Sequence, residues 1–335
     1  MKIKPFSTTG IGSLPHTEAR EAVRLVLDTF DIPFWPQLPK LSFREGMVAQ
    51  YAEGMPFLRT DDSKGAVWVE RNNGEELERF YESYKDTTLI AISEEHAKGI
   101  YAFLYEIKGR RFPILKGHVT GPLTFALGLN DGSGRAIYYD EELREIALML
   151  LKAKVRWQVE ALRPHADGII IFVDEPIVSA LGSSGYMGVQ RDEALRLLRE
   201  LCNTVSAAGA VPGIHCCGRA EWPLLLEAGI TILNFDSYGF AETLGIYPDE
   251  VKKFIQSGGY LAWGAVPTTE AVAAETPDSI KSRFARALDG LSRSVPRELL
   301  LEKIILTPSC GAGSLDIPGA LKAFQLLMRL KEDFA

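Results

Sequence analysis

An imidazole and two thiols close one apolar run of this chain, in Gly213-Ile214-His215-Cys216-Cys217-Gly218. Side chains on a strand alternate faces, so His215 and Cys217 are expected on one side and Cys216 on the other. A further thiol, Cys310, follows the last apolar run in Thr307-Pro308-Ser309-Cys310-Gly311. Brought together, His215, Cys217 and Cys310 form a His/Cys/Cys set with one tetrahedral position open. That open position distinguishes a catalytic zinc site from a structural one. The bland alternative is a satisfied histidine and two cysteines used as small apolar residues. Cys202 fits that description, since Leu197, Leu198 and Leu201 give it a helical core context. Cys216 reads as packing.

Two acid clusters end other apolar runs. Phe172-Val173-Asp174-Glu175-Pro176 places two carboxylates after a strand, and buried carboxylates are costly unless paired or used. Asp174 and Glu175 are therefore candidate catalytic acids, with a strand-end cap or a salt bridge as the structural alternative. Asp236 ends Ile232-Leu233-Asn234-Phe235-Asp236 and could bind the metal, orient the ligand histidine or hold substrate. Two glycine-bearing turns, Gly10 to Pro15 and Gly117 to Pro122, would let backbone N–H groups approach an anionic group. Neither is a Walker loop or a complete dinucleotide fingerprint.

These residues need a scaffold that collects strand ends. Apolar runs alternate with helical patterns, which predicts βα units and a parallel sheet. The expected strands are Ser7–Gly12, Phe34–Leu38, Ile114–Thr120, Gly168–Asp174, Val211–His215, Thr231–Asp236, Tyr260–Val266 and Lys303–Thr307. Helices are expected from Ala19 to Phe30, with Thr17 as N-cap, and near Glu142–Leu162, Asp192–Ala207 and Ser279–Leu291. Eight strands interleaved with helices predict an α/β fold, a (β/α)8 TIM barrel, as one domain over residues 1–335. Residues 39–111 are too many for a βα connection. They are expected to form an insertion after the second strand, a helical piece or a small hairpin over the barrel mouth.

Composition narrows the function classes. The 335 residues are 46% apolar and 24% charged, which excludes disordered, collagenous and disulfide-scaffold chains. A net charge of −7 with no clustered basic run argues against nucleic acid or anionic membrane as partners. The Met1-Lys2-Ile3-Lys4-Pro5 start lacks the apolar core of a signal peptide. Four cysteines are too few for a disulfide framework, so a reducing cytoplasm is the expected location.

Taken together, Ile11-Gly12-Ser13-Leu14-Pro15, Thr120-Gly121-Pro122-Leu123-Thr124, Val173-Asp174-Glu175-Pro176, His215-x-Cys217 and Pro308-Ser309-Cys310-Gly311 resemble, in order and spacing, a known pattern. It is that of the C-terminal catalytic barrel of cobalamin-independent methionine synthase, in the superfamily that also holds uroporphyrinogen decarboxylase. The resemblance implies Zn2+ held by His215, Cys217 and Cys310, with Asp236 at the position of a further acidic ligand. It implies that Ile11, Gly12 and Ser13 hold a substrate carboxylate through their backbone, and that Asp174 holds its amino group. The implied reaction is methyl transfer to a small thiol, from methylcobalamin, a corrinoid protein or a methylfolate.

One departure bears on the thiol. The family's Gly-Glu-Pro-Glu-Arg stretch corresponds here to Lys40-Leu41-Ser42-Phe43-Arg44, which has neither glutamate. The expectation is that homocysteine is used poorly, and that a thiol without an α-amino group, or with an extra anion near Arg44, is preferred. The competing readings are a metal-free lyase of the uroporphyrinogen decarboxylase type and a non-catalytic barrel that binds a thiol or corrinoid. The lyase would call for arginines near the first strand, where Ser7 to Pro15 has none.

Overall fold

The computed structural model describes residues 1–72, 74–85 and 90–334. Its strands, in chain order, are β1 (Ser7–Thr8), β2 (Leu58–Asp61), β3 (Ala66–Val69), β4 (Phe112–Thr120), β5 (Ala166–Asp174), β6 (Val211–Cys216), β7 (Ile232–Phe235), β8 (Tyr260–Val266) and β9 (Ile304–Pro308). Among the described residues, seven of these form a parallel sheet in the order β1-β9-β8-β7-β6-β5-β4. Strands β2 and β3 pair separately as an antiparallel hairpin.

The expected second strand, Phe34–Leu38, is not one. It makes only isolated parallel bridges, Ser13 with Gln37 and Phe34 with Lys116. The reason is local: Pro33 and Pro36 carry no N–H, so a continuous ladder is impossible there. The remaining backbone groups still join the two edges of the sheet. Lys116 N–H donates to Pro33 O at 2.8 Å, Gln37 N–H to Gly12 O at 3.0 Å and Leu14 N–H to Gln37 O at 2.9 Å. The sheet therefore curls so that β1 and β4 meet through residues 33–38, an α/β fold of barrel-like form. The first strand is also shorter than expected, ending at Thr8.

The faces of the sheet differ in what covers them. Ile114, Ile170, Phe172, Ile232, Ala262 and Ile305 cluster with no helical residue among them, so they fill the inner face. The alternate residues Ile169, Ile171 and Val173 join the larger cluster that includes the helices. Strand β5 is accordingly apolar on both faces, as a covered parallel strand must be. The long helix Glu141–Leu162 begins where Asp140 accepts a hydrogen bond from Leu143 N–H, a normal N-cap. The first helix, Ala19–Thr29, has Glu18 rather than Thr17 at its cap, without a side-chain hydrogen bond.

Within residues 39–111, residues 73 and 86–89 lie outside the described residues. The described part of this segment holds the β2–β3 hairpin and the helices Met47–Ala52, Glu75–Tyr84 and Lys98–Glu106. Glu45 ties this segment to the sheet rim. It is fully buried and accepts from Leu38 N–H at 2.9 Å and Lys98 N–H at 3.1 Å. Helix Lys98–Glu106 also sits against the rim at Gly99, where a β-carbon would lie 1.7 Å from Pro36 O. Only glycine permits that approach. Among the described residues no helix is long and apolar enough to cross a membrane.

Candidate metal centre

Parallel register places the site residues in one row. Thr120 pairs with Asp174, Asp174 with His215, and His215 with Asn234, across β4, β5, β6 and β7. Residues level in a parallel sheet point the same way, here toward the inner face near the C-terminal ends of the strands. Cys217 lies just beyond β6 and two residues after His215, so it continues on that side. Cys216 faces the other way and is fully buried in the helix-covered core, as is Cys202. Cys310 follows β9, and Ser309 N–H donates to Val266 O at 2.7 Å, which fixes that turn against β8.

The ligand atoms of His215, Cys217 and Cys310 all lie within 4.8 Å of one another. The first and last turns of the chain meet beside them. Ala312 N–H donates to Ser13 O at 2.9 Å, and a β-carbon at Gly311 would fall 2.1 Å from Ser13 Oγ. The result is a cavity of about 290 Å3 lined by Gly12, Ser13, Asp174, His215, Cys217 and Cys310, among others.

The imidazole is oriented by its neighbours. Asn234 donates through Nδ2 to Ala262 O and Thr307 Oγ1, both at 2.8 Å, so its Oδ1 must face His215. His215 Nδ1–H donates to that oxygen. The proton is thereby held on Nδ1, and Nε2, buried and without a hydrogen-bond partner among the described residues, is left with its lone pair. Burial alone would lower the His215 pKa, but the Cys217 sulfur and the Asp174 carboxylate outweigh it and leave it raised. The neighbouring Cys310 and His215 pull the Cys217 thiol below the ordinary thiol value. The Cys217 sulfur, with burial, pushes Cys310 up.

The acids divide into different roles. Asp174 lines the cavity, and its Oδ1 is buried without a hydrogen-bond partner among the described residues. Burial pushes it up to about 6, against the pull of His215 and Lys116. Glu175, expected beside it as a second catalytic acid, is turned to another task. Its carboxylate accepts from Leu123 N–H at 2.9 Å, Thr124 N–H at 2.8 Å and Thr124 Oγ1 at 2.6 Å, at the start of helix Pro122–Gly128. Adjacent strand residues face opposite ways, and this one caps a helix behind the sheet rather than lining the cavity. Asp236 stands outside the His/Cys/Cys group. Its Oδ1 accepts from Gly239 N–H at 2.8 Å, and burial pushes it up to about 6.

Ile11, Gly12 and Ser13 line the cavity. Arg44 does not. It is held by Asp62 at 2.7 Å and Glu95 at 2.9 Å on the outer side of the inserted segment. The run Lys40 to Arg44 lends the cavity no residue, and its wall there is Gln37, Pro39 and Met47.

Sequence reasoning missed Lys116 and Asn234. Lys116 is fully buried, donates from Nζ to Ile11 O at 2.5 Å, and lies 4.5 Å over the Phe172 ring. Burial lowers it to about 8. A lysine inside the apolar run Ile114-Leu115-Lys116-Gly117 was the available signal. So was the amide inside Ile232-Leu233-Asn234-Phe235.

The chain's fold is shared with a solved enzyme. The structure of a B12-independent methionine synthase from Shewanella sp. W3-18-1, in complex with selenomethionine, matches with a TM-score of 0.60. The match covers 99% of this chain and 98% of that one, at 15% identity. The likeness is one of fold. No family model and no curated protein matches this chain.

Proposed function

We propose that this protein is a (β/α)8-barrel enzyme that transfers a methyl group to a small thiol at a zinc site made by His215, Cys217 and Cys310. The observation that carries this reading is the donor set itself. One imidazole with its Nε2 lone pair free and two cysteine sulfurs converge on one wall of a cavity, with no fourth ligand in their group among the described residues. Three ligands and an open position fit zinc in a catalytic role. Zinc bound there would hold a substrate thiol as its thiolate at neutral pH, where a free thiol of pKa about 8.5 is mostly protonated.

The chain's own residues do the rest. Asn234 keeps the His215 proton on Nδ1 and so keeps Nε2 a ligand atom. Asp174 offers Oδ1 to a hydrogen-bond donor of the substrate, and the ammonium of an amino thiol is the strongest such donor. The backbone of Ile11, Gly12 and Ser13 takes the substrate's anionic end, and Lys116 holds the Ile11 carbonyl that sets the direction of this turn. A cavity of about 290 Å3 admits one small thiol and leaves little room for bulk water. Asp236 is assigned to holding the turn that follows β7 rather than to the metal, because it is not in the His215, Cys217 and Cys310 group and its Oδ1 accepts from Gly239 N–H.

Arg44 is spoken for by Asp62 and Glu95, which removes the physical basis for preferring a thiol with an extra anion. The reading therefore favours an amino thiol of the homocysteine kind, with methylcobalamin, a methylated corrinoid protein or a methylfolate as donor, acting in the cytoplasm. The test is a methyl-transfer assay on zinc-loaded and chelated protein, with homocysteine as acceptor and each donor in turn. Transfer that survives full metal removal would sink the proposal. So would the absence of transfer from every donor.

A further inference from the structure

A second cavity lies behind the turn that follows β7, away from the His/Cys/Cys group. It measures about 480 Å3, a volume suited to a small molecule. Its walls combine charge with apolar surface. Arg283 and Arg286 come from one face of helix Pro277–Ser292, three residues apart. Ala241, Ala287 and Leu291 supply apolar surface.

The two arginines are poorly compensated. The Arg283 guanidinium lies 4.3 Å over the Tyr238 ring, and its Nε is buried without a hydrogen-bond partner. Its carboxylate neighbour among the described residues, Glu275, stands 4.0 Å away. Glu275 is already engaged by the Tyr238 hydroxyl at 2.7 Å and by Ser279 Oγ. Arg286 makes no ion pair among the described residues. Glu242, the acid in the wall, lies 3.7 Å from Arg219 instead. A guanidinium stacked on an aromatic ring, as Arg283 is on Tyr238, keeps its N–H edge free, and with Arg286 one helical turn away the pair matches a carboxylate or phosphate.

We infer that this cavity is a binding site for a small anion with an apolar body, its carboxylate or phosphate held by Arg283 and Arg286. The apolar body rests on Ala241, Ala287 and Leu291. Tyr238 and Gly239 belong to the turn that holds Asp236, so the bound ligand braces that turn.

The test is calorimetric titration of the full-length protein with phenyl phosphate, phenylacetate and 2-phenylethanol. Either anion is expected to bind at least about tenfold more tightly than the neutral alcohol, and the stronger of the two names the headgroup. Arg286→Gln, at an exposed position, should weaken the anion by at least about tenfold. Ala287→Trp should fill the cavity and abolish binding. Cys310→Ser should leave it unchanged, which separates this site from the one proposed for thiol transfer. Equal affinity for the alcohol, no binding of either anion, binding untouched by both cavity variants, or binding lost in Cys310→Ser would each overturn the assignment.

Discussion

His215 gives its Nδ1 proton to Asn234, and Asn234 in turn gives both amide protons to Ala262 and Thr307. The direction of the imidazole is thus set three strands away, from β7 through β8 to β9. A ligand histidine needs such a partner to fix its tautomer. Replacing Asn234 with Leu removes the acceptor and should cost about 10- to 100-fold in zinc affinity. Asn234→Asp keeps an acceptor and should lose much less. Competition against a chromophoric chelator measures both, and equal affinity in Asn234→Leu and the parent would refute the role.

Metal content should follow the two faces of β6 and its continuation through Cys217. Cys217→Ser and Cys310→Ser are expected to lose most of their zinc, while Cys216→Ser and Cys202→Ser retain a full equivalent. Cys216 and Cys202 lie in the helix-covered core, out of reach of the cavity. Elemental analysis of the four purified variants decides it. An empty site in Cys216→Ser alone would mean that the register is wrong.

The acceptor preference should depend on Asp174. Among the described residues its Oδ1 has no partner, so under the proposed function it is the group to receive a substrate ammonium. Asp174→Asn should lower kcat/KM for homocysteine by 10-fold or more, on the order of 1.4 kcal/mol. The deaminated thiol should be affected far less, because it offers no cation. Equal losses on the two thiols would assign Asp174 to something other than the amine.

Glu45 makes a pH prediction away from the metal. Burial raises it from the usual 4.5 to about 7, against the N–H groups of Leu38 and Lys98. The folded protein therefore binds a proton that the unfolded chain releases more readily. The stabilisation linked to Glu45 is complete below about 4.5 and is lost as pH rises through about 7. Glu45→Gln should flatten that part of the stability curve, by at most ~3 kcal/mol. Urea midpoints of the two proteins at pH 5 and pH 8 test it; a constant difference between them would exclude the titration.

The contrast between Asp174 and Glu175 shows what each level of description could deliver. Both are acids after the same apolar run, and type and position alone treat them alike. Strand alternation already separates them, but only the packing of helix Pro122–Gly128 against β5 reveals that Glu175 is consumed as a cap. Arg44 teaches the same lesson. Its nearness in sequence to the rim suggested a charge in the cavity, and Asp62 and Glu95, from elsewhere in the inserted segment, take it up.

By itself the amino-acid sequence determined the parallel α/β character, the placement of His215, Cys217 and Cys310 at strand ends, and the opposite facing of Cys216. These follow from periodicity and alternation, which are local properties of a chain. Tertiary structure decided the rest. The partial second strand, bridged rather than laddered around Pro33 and Pro36, depends on which edges meet when the sheet curls. The Asn234 brace, the buried Lys116 under Ile11, the loss of Glu175 to a helix cap and the convergence of His215, Cys217 and Cys310 without Asp236 all depend on residues far apart in sequence. Such partners are fixed by closure of the sheet, because only closure chooses which of many polar side chains satisfies a given buried group.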